Sequence, residues 1–487
     1  MRSGPSSRWQ ALSITVSLFA GWGVAGNGRA AVVRVPEAVA GIQAAINVAQ
    51  SGDTVMISPG TYNGRLVISG KSVTLASRYI ETGDTNDIAL TTITASGTIL
   101  AIQPTVGAGT TVQGLTFLNG DHQVQIFTRP VSVLDCHFIG GSDQVSFEGG
   151  GGLVRGCRFF HSSDDGIDID NASDPTVENN TILQSGNDGI EMRLHSYTGP
   201  TLQIVFRGNV ISECVEDGIQ LIDYPGLSSR DILIEGNVLE DNLMVGLGCM
   251  ADGNTDEDFA GAPLVESVRV IGNTICGNPI GVTGGDNMLL MNNVIAGNTQ
   301  IGVKRVSASS LVSHNLFWGN ATHYTGSIVE STTTLIQDPY LDTDYHPEPG
   351  SPCIDAGAIS ILWNGKKVGA GPYLGVAPDL GAHEGPAGTT LSAPGPSHPS
   401  GLSLTQVRPN PSTKSVAISF TLVGPSAARI ELVDLAGRKV LVRELGALGP
   451  GSHVVKLNEP RLLPAGVYVV RLVQGDRSVA TPMVVAR

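Results

Sequence analysis

From Leu115 to Phe317 the chain alternates short apolar, β-branched runs with turns marked by Gly, Asn or Asp. The alternation recurs with a long period. The phrases GLTF, DCHF, GCRF, NNTI, GNVI, GNVL, GNTI, NNVI and HNLF place their second residue at Leu115, Cys136, Cys157, Asn180, Asn209, Asn237, Asn273, Asn293 and Asn315. The intervals are 21, 21, 23, 29, 28, 36, 20 and 22 residues. A second phrase follows the first: DGID at Asp165, DGIE at Asp188, DGIQ at Asp217, then Gly246-Leu247, Gly281-Val282 and Gly302-Val303. A sustained period of this length predicts a solenoid, in which each repeat buries its apolar side only by stacking on its neighbours.

The segments are too short and too β-branched for amphipathic helices, and they lack the repeated leucines of leucine-rich units. They predict the strands of a parallel β-helix, with coils about 4.8 Å apart and equivalent residues in columns. An inward Asn at each turn can then bond backbone groups and the Asn of the next coil. The intervals of 29, 28 and 36 predict coils with long loops. Ahead of the repeats, Ile42, Ala45, Ile46 and Ala49 share one helical face, and Gly52 follows. A short amphipathic helix here would cap the open end of the first coil.

The N-terminus reads as an export signal over residues 1–30: Arg2 and Arg8, then the apolar run ALSITVSLFAGWGVAG, then small residues around Ala30. No later stretch is apolar for long enough to span a membrane. Residues 386–402 are rich in Gly, Pro, Ser and Thr and predict a flexible linker after a β-helix over 31–385. Residues 403–487 hold alternating strands such as SVAISFTL, ARIELVDLAG and GVYVVRLVQG, which predict a small antiparallel β-sandwich. The fold class expected is therefore all-β.

The net charge of −15 argues against a nucleic-acid partner. It is unevenly spread. Residues 404–487 carry 11 basic and 5 acidic residues, whereas 31–403 carry 15 and 39. Six cysteines show no CxxC pairing; Cys136 and Cys157 share a column, where either a disulfide or two buried thiols would fit.

The opening IQAAIN…GDTV…PGTY, with the coils behind it, resembles the pectate-lyase-like right-handed β-helix superfamily over roughly residues 33 to 385. The words RPNPS, VDLAGRKV and PAGVYVVRL resemble the C-terminal sorting domains of type IX secretion and the related immunoglobulin-like domains of flagellar hook-cap proteins. That resemblance implies delivery to the cell surface or the medium, with the secretion machinery as a partner. A plain accessory sandwich is the other reading of the module.

Candidate chemistry lies beside the second phrase. Asp143, Asp164, Asp165, Asp168, Asp188, Glu191, Glu216 and Asp217 fall in four successive repeats. Stacking would bring them about 5 Å apart, where like charges raise one another's pKa unless a cation compensates. Calcium, with six to eight oxygen ligands in loose geometry, suits such a set. Asp143, Asp164, Asp165 and Asp168 form the expected cage. Asp143 and the phrase Asp164-Asp165-Gly166-Ile167-Asp168 also resemble the primary calcium motif of a family of β-helix pectate lyases. That family uses a Lys base where this chain has Glu191, and no Lys occurs between Lys71 and Lys304. Arg193 is the expected base, with His195 or His161 as alternates and Asp188, Glu191, Arg207 and Asp217 as substrate contacts.

The function so implied is binding and cleavage of an acidic polysaccharide by calcium-assisted β-elimination, carried out by a monomer. A non-catalytic adhesive or structural helix is the main alternative, because Asp-Gly is ordinary turn chemistry. Uronate C5 epimerisation is another, although Asp174-Pro175 is followed by Thr176 and not by the His of those enzymes. The Gly-His-Gly and Arg-x-Lys phrases of polygalacturonases are absent. The segment Asp252 to Asp258, DGNTDED, has alternate oxygen ligands but Glu257 where an EF-hand needs Gly, and reads as a solvated acidic loop in the longest coil.

Overall fold

The computed structural model describes residues 30–385 and, of the C-terminal module, 402–408, 416–424, 426–434, 438–446, 451–457, 463–464, 466–475 and 477–485. All but the last residue of the expected export signal, and all but the last residue of the expected linker, lie outside these described residues.

Short strands joined by tight corners wind into a parallel β-helix. Each coil contributes one strand to each of three sheets of 12, 12 and 11 strands. The first sheet runs from Val32–Val35 to Leu311–Ser313, the second from Gly60–Asn63 to Leu335–Ile336, the third from Leu66–Ile68 to Thr322–Thr325. Every pairing inside the three sheets is parallel and joins one coil to the next, as Ile167↔Ile190↔Ile219 does in the third sheet. Alternate residues point inward and form one continuous apolar core from Val35 to Phe317. Phe117, Phe138 and Phe159 stack in it, with ring centroids 5.3 and 4.7 Å apart. The helix Ile42–Val48 closes the open end, burying Ile42, Ala45 and Ile46 as its spacing predicts.

Polar ladders hold the corners. Each Asn of the first column accepts the backbone N–H of its predecessor, from Cys157 to Asn180 at 2.9 Å through to Asn293 and Asn315 at 2.8 Å. Its Nδ2 donates to the next Asn and to a carbonyl of the preceding coil, so every amide group is used. A second ladder, Asn242, Asn278, Asn298 and Asn320, repeats the device at the corner between the second and third sheets. Cys136 and Cys157 occupy the start of the first ladder as free buried thiols, with the Cys136 N–H 3.4 Å from the Cys157 sulfur.

Beyond Ile336 the chain returns along the outside. The hairpin Ser360–Trp363 with Lys366–Gly369 packs Trp363 on Ile271, Leu289 and Met291, outward residues of the first sheet. The C-terminal module pairs a three-stranded antiparallel sheet (403–408, 416–422, 451–457) with a four-stranded one (428–434, 439–446, 466–474, 477–485). Ile418 and Phe420 of one share a core with Ile430, Leu432 and Val470 of the other, which makes it a sandwich.

Candidate functional site

The Asp-Gly phrase precedes the third-sheet strand in three successive coils, and its two residues do different work. The Asp forms a third ladder. Asp165 Oδ1 accepts the Asp188 N–H at 2.9 Å, Asp188 Oδ1 that of Asp217 at 2.7 Å, and Asp217 Oδ1 that of Val245 at 2.8 Å. The Gly allows close approach of the coils. A Cβ on Gly166, Gly189 or Gly218 would lie 2.6–2.7 Å from the carbonyl oxygen of Gly189, Gly218 or Gly246 in the next coil. Asp188 and Asp217 are therefore 1% and 0% exposed and face backbone. The expectation that they contact substrate is corrected: the ladder takes them out of reach.

Strand alternation then sends the third residue after each ladder Asp outward. Asp168 and Glu191 are register partners on adjacent strands, as Glu191 and Gln220 are one coil on. Two residues along the same face come Asp170 and Arg193. Arg193 Nη1 donates to Asp168 Oδ1 at 2.9 Å and lies 3.5 Å from Asp170, while Nη2 meets Glu191 Oε1. Burial pushes Asp168 up to about 8, helped by the charge of Asp170 and opposed by Arg193. Burial likewise raises Glu191 to about 7. Burial works against the Arg193 charge too, but Glu191, Asp168 and Asp170 outweigh it and its pKa is raised. The expected base is thus a firmly held cation, since three carboxylates stabilise the proton a base would have to shed.

The four expected metal ligands do not form one cage. Asp143, Asp164 and Asp165 bring an oxygen each within 4.8 Å of one another. Asp168 belongs to two other trios, one with Glu148 and Asp170, one with Asp165 and Glu191. The division follows from position: Asp143 and Asp164 sit on the corner before the strand, Asp168 on the strand itself. Asp164 remains partly exposed, and burial and Asp143 raise its pKa. His122, which the sequence did not single out, places Nδ1 3.0 Å from Asp143, and that contact raises its pKa. The signal for it was its place one coil before Asp143.

Of the remaining expected residues His195 borders the cluster, with Nδ1 3.6 Å from Asp170 Oδ1, whereas His161 and Arg207 lie apart from it. His195 is at the far end of the strand; its Nδ1 accepts the Asn171 N–H at 3.3 Å and its ring lies 4.3 Å from that of Tyr224. His161 is a corner residue with φ 55°. Arg207 is on the first sheet, paired with Glu235 at 2.8 Å, so it does not join the acidic row.

Stacked coils with side chains presented on one outward sheet face define a parallel β-helix protein. Residues 100–259 match the family of the right handed beta helix region, and residues 406–486 match the secretion system C-terminal sorting domain. The sorting domain marks the chain for export to the cell surface or the medium. No curated protein matches the sequence. Among solved structures, the A-module of an Azotobacter vinelandii mannuronan C-5 epimerase is 15% identical, over 61% of this chain and 92% of that one, with a TM-score of 0.41. A polygalacturonase from Erwinia carotovora is 14% identical, over 65% and 99%, at 0.36. A PL6 family alginate lyase is 14% identical, over 63% and 53%, at 0.34.

Proposed function

We propose that this exported β-helix binds and cleaves an acidic polysaccharide laid across the outward face of the third sheet. The observation that carries the reading is the Asp168–Glu191 pair beside Arg193. Two adjacent carboxyls that burial pushes up toward neutrality supply between them a proton donor and a proton acceptor near neutral pH. In β-elimination Glu191 takes the ring proton beside the uronate carboxylate, and Asp168 donates to the departing glycosidic oxygen. Arg193 holds both carboxyls in place and lends positive charge to the developing anion.

An acidic polymer needs a counter-charge to approach so many carboxylates. Asp143, Asp164 and Asp165 fit calcium, because they offer only oxygen donors and Asp164 stays open to solvent. Bound there, calcium would neutralise the substrate carboxylate, a Lewis-acid contribution. The sorting domain supports the setting, since an exported protein meets polysaccharides outside the cell.

A non-catalytic, surface-displayed helix is the second reading. It is favoured by the Asp ladder and by the burial of Asp168 and Glu191, 5% and 3% exposed beneath Arg193. The deciding experiment offers pectate and alginate with calcium or with chelator and follows the ultraviolet absorbance of unsaturated uronates. The lyase reading expects a rise that Glu191→Gln abolishes. No product on either polymer leaves the non-catalytic reading, and C5 inversion without cleavage, seen by NMR, assigns epimerisation instead.

A further inference from the structure

We propose that a second calcium-class cation binds between Asp217, Glu257 and Gln220, where it pins the loop 251–266 over the third sheet. This site is distinct from the Asp143–Asp164–Asp165 trio and does not depend on what the protein does to a polymer.

The loop arises in the longest coil and is exposed at Asp252, Asn254, Thr255, Asp256 and Asp258, yet Glu257 among them is 8% exposed and turned inward. Each of the three side chains has an unused oxygen. Asp217 Oδ1 accepts the Val245 N–H, whereas Oδ2 is buried with no partner. Glu257 Oε1 accepts the Phe259 N–H, whereas Oε2 is buried with no partner. Gln220, 0% exposed, has neither its oxygen nor its nitrogen engaged.

The two carboxylate oxygens converge beside Gly248. An ideal Cβ on Gly248 would lie 1.8 Å from Asp217 Oδ2 and 2.6 Å from Glu257 Oε2. Gly248 is the register partner of Gln220, so that Cβ would point outward beside the Gln220 side chain. Gly248 has no left-handed φ that demands glycine. The missing side chain makes room for the two carboxylates.

Two buried carboxylates at this spacing need either a shared proton, for which Asp217 and Glu257 are within hydrogen-bond reach of each other, or a cation between them. Among the described residues neither Asp217 nor Glu257 forms an ion pair. Water would satisfy their hydrogen bonds but not their charge. Two convergent anionic oxygens, with the unpartnered buried amide of Gln220 on the neighbouring strand, match the donor preference of a hard divalent cation that tolerates irregular geometry. Burial also raises the pKa of both acids, which a bound cation would reverse.

The test uses the full chain, stripped with chelator and titrated with calcium chloride alone, with proteolytic cleavage inside 251–266 followed by mass spectrometry. Calcium should slow cleavage in this loop at least about tenfold. Glu257→Gln, which keeps the side-chain volume, should raise the calcium concentration needed for protection about tenfold or more, the loss that even an outer-shell partner brings. Gln220→Met should do the same with the side-chain volume kept, and Asp164→Asn should leave protection intact. Equal cleavage of the parent protein with and without calcium would overturn the site. So would protection of Glu257→Gln at the parent's calcium concentration.

Discussion

Asp168 and Glu191 stand side by side on adjacent strands of the third sheet, and Arg193 reaches across to both. The pair lies 23 residues apart in the chain but is brought together by one turn of the coil. Its consequences are measurable whether or not the pair is catalytic.

The first is a pH dependence. Asp168 has an ordinary value of 3.8 and is raised to about 8 in the fold. The folded chain therefore binds this proton more tightly than the unfolded chain. The stabilising contribution is complete below about pH 4 and is lost as pH rises toward about 8. Asp168→Asn removes this slope. Its melting temperature should match the parent's near pH 4 and exceed it at pH 8; a parent whose melting temperature does not fall relative to the variant over this range would contradict the assignment.

Arg193 is the only Lys or Arg within ion-pair reach of Asp168 and Glu191 among the described residues. Arg193→Met should cost about 2 kcal/mol at pH 8. That is below the roughly 3–5 kcal/mol of a fully buried pair, because a quarter of the Arg193 side chain is exposed. Near pH 5 the carboxyls are protonated and the loss should shrink. Chemical denaturation at the two pH values reads the difference, and an equal cost at both would refute it.

The Asn ladder sets a larger cost. Asn237 accepts the Asn209 N–H and donates to the Phe206 carbonyl, each at 2.9 Å, and is 0% exposed. Asn237→Ala strands both groups, at about 1–3 kcal/mol each. A loss of about 4 kcal/mol is expected, with hydrogen exchange of the Asn209 amide accelerating first. A variant within about 0.5 kcal/mol of the parent would mean that water replaces the amide.

The glycine of the Asp-Gly phrase gives a steric prediction. A Cβ on Gly218 would sit 2.7 Å from the Gly246 carbonyl oxygen and 2.9 Å from Asn242 Nδ2, which its ladder bond to Asn278 holds in place. Gly218→Ala should destabilise by about 1–3 kcal/mol through overpacking. Gly52→Ala provides the contrast, since its Cβ meets nothing within 4 Å and any cost comes from φ 91° alone. Comparable denaturation midpoints for Gly218→Ala and the parent would show that adjacent coils can separate.

The sequence by itself determined the winding. Its period, the Asn column from Asn180 to Asn315 and the capping face of Ile42, Ala45 and Ile46 were legible because burial repeats at a fixed spacing and a column needs like residues. The second ladder was not read from the sequence, although its spacing stands there. Asn242, Asn278, Asn298 and Asn320 each follow a first-ladder Asn by five residues. The acidic row was visible as composition, but which of its members stack on backbone, which meet Arg193 and which face solvent was not. Position on a corner or on a strand separates Asp165 from Asp168, only three residues away. Only the tertiary structure decided that Arg193 is a clasped cation, that Arg207 belongs to another sheet and that Glu257 folds inward to meet Asp217. Those outcomes depend on where loops of unequal length come to rest and how deeply they bury charge, and a repeat pattern carries no record of either.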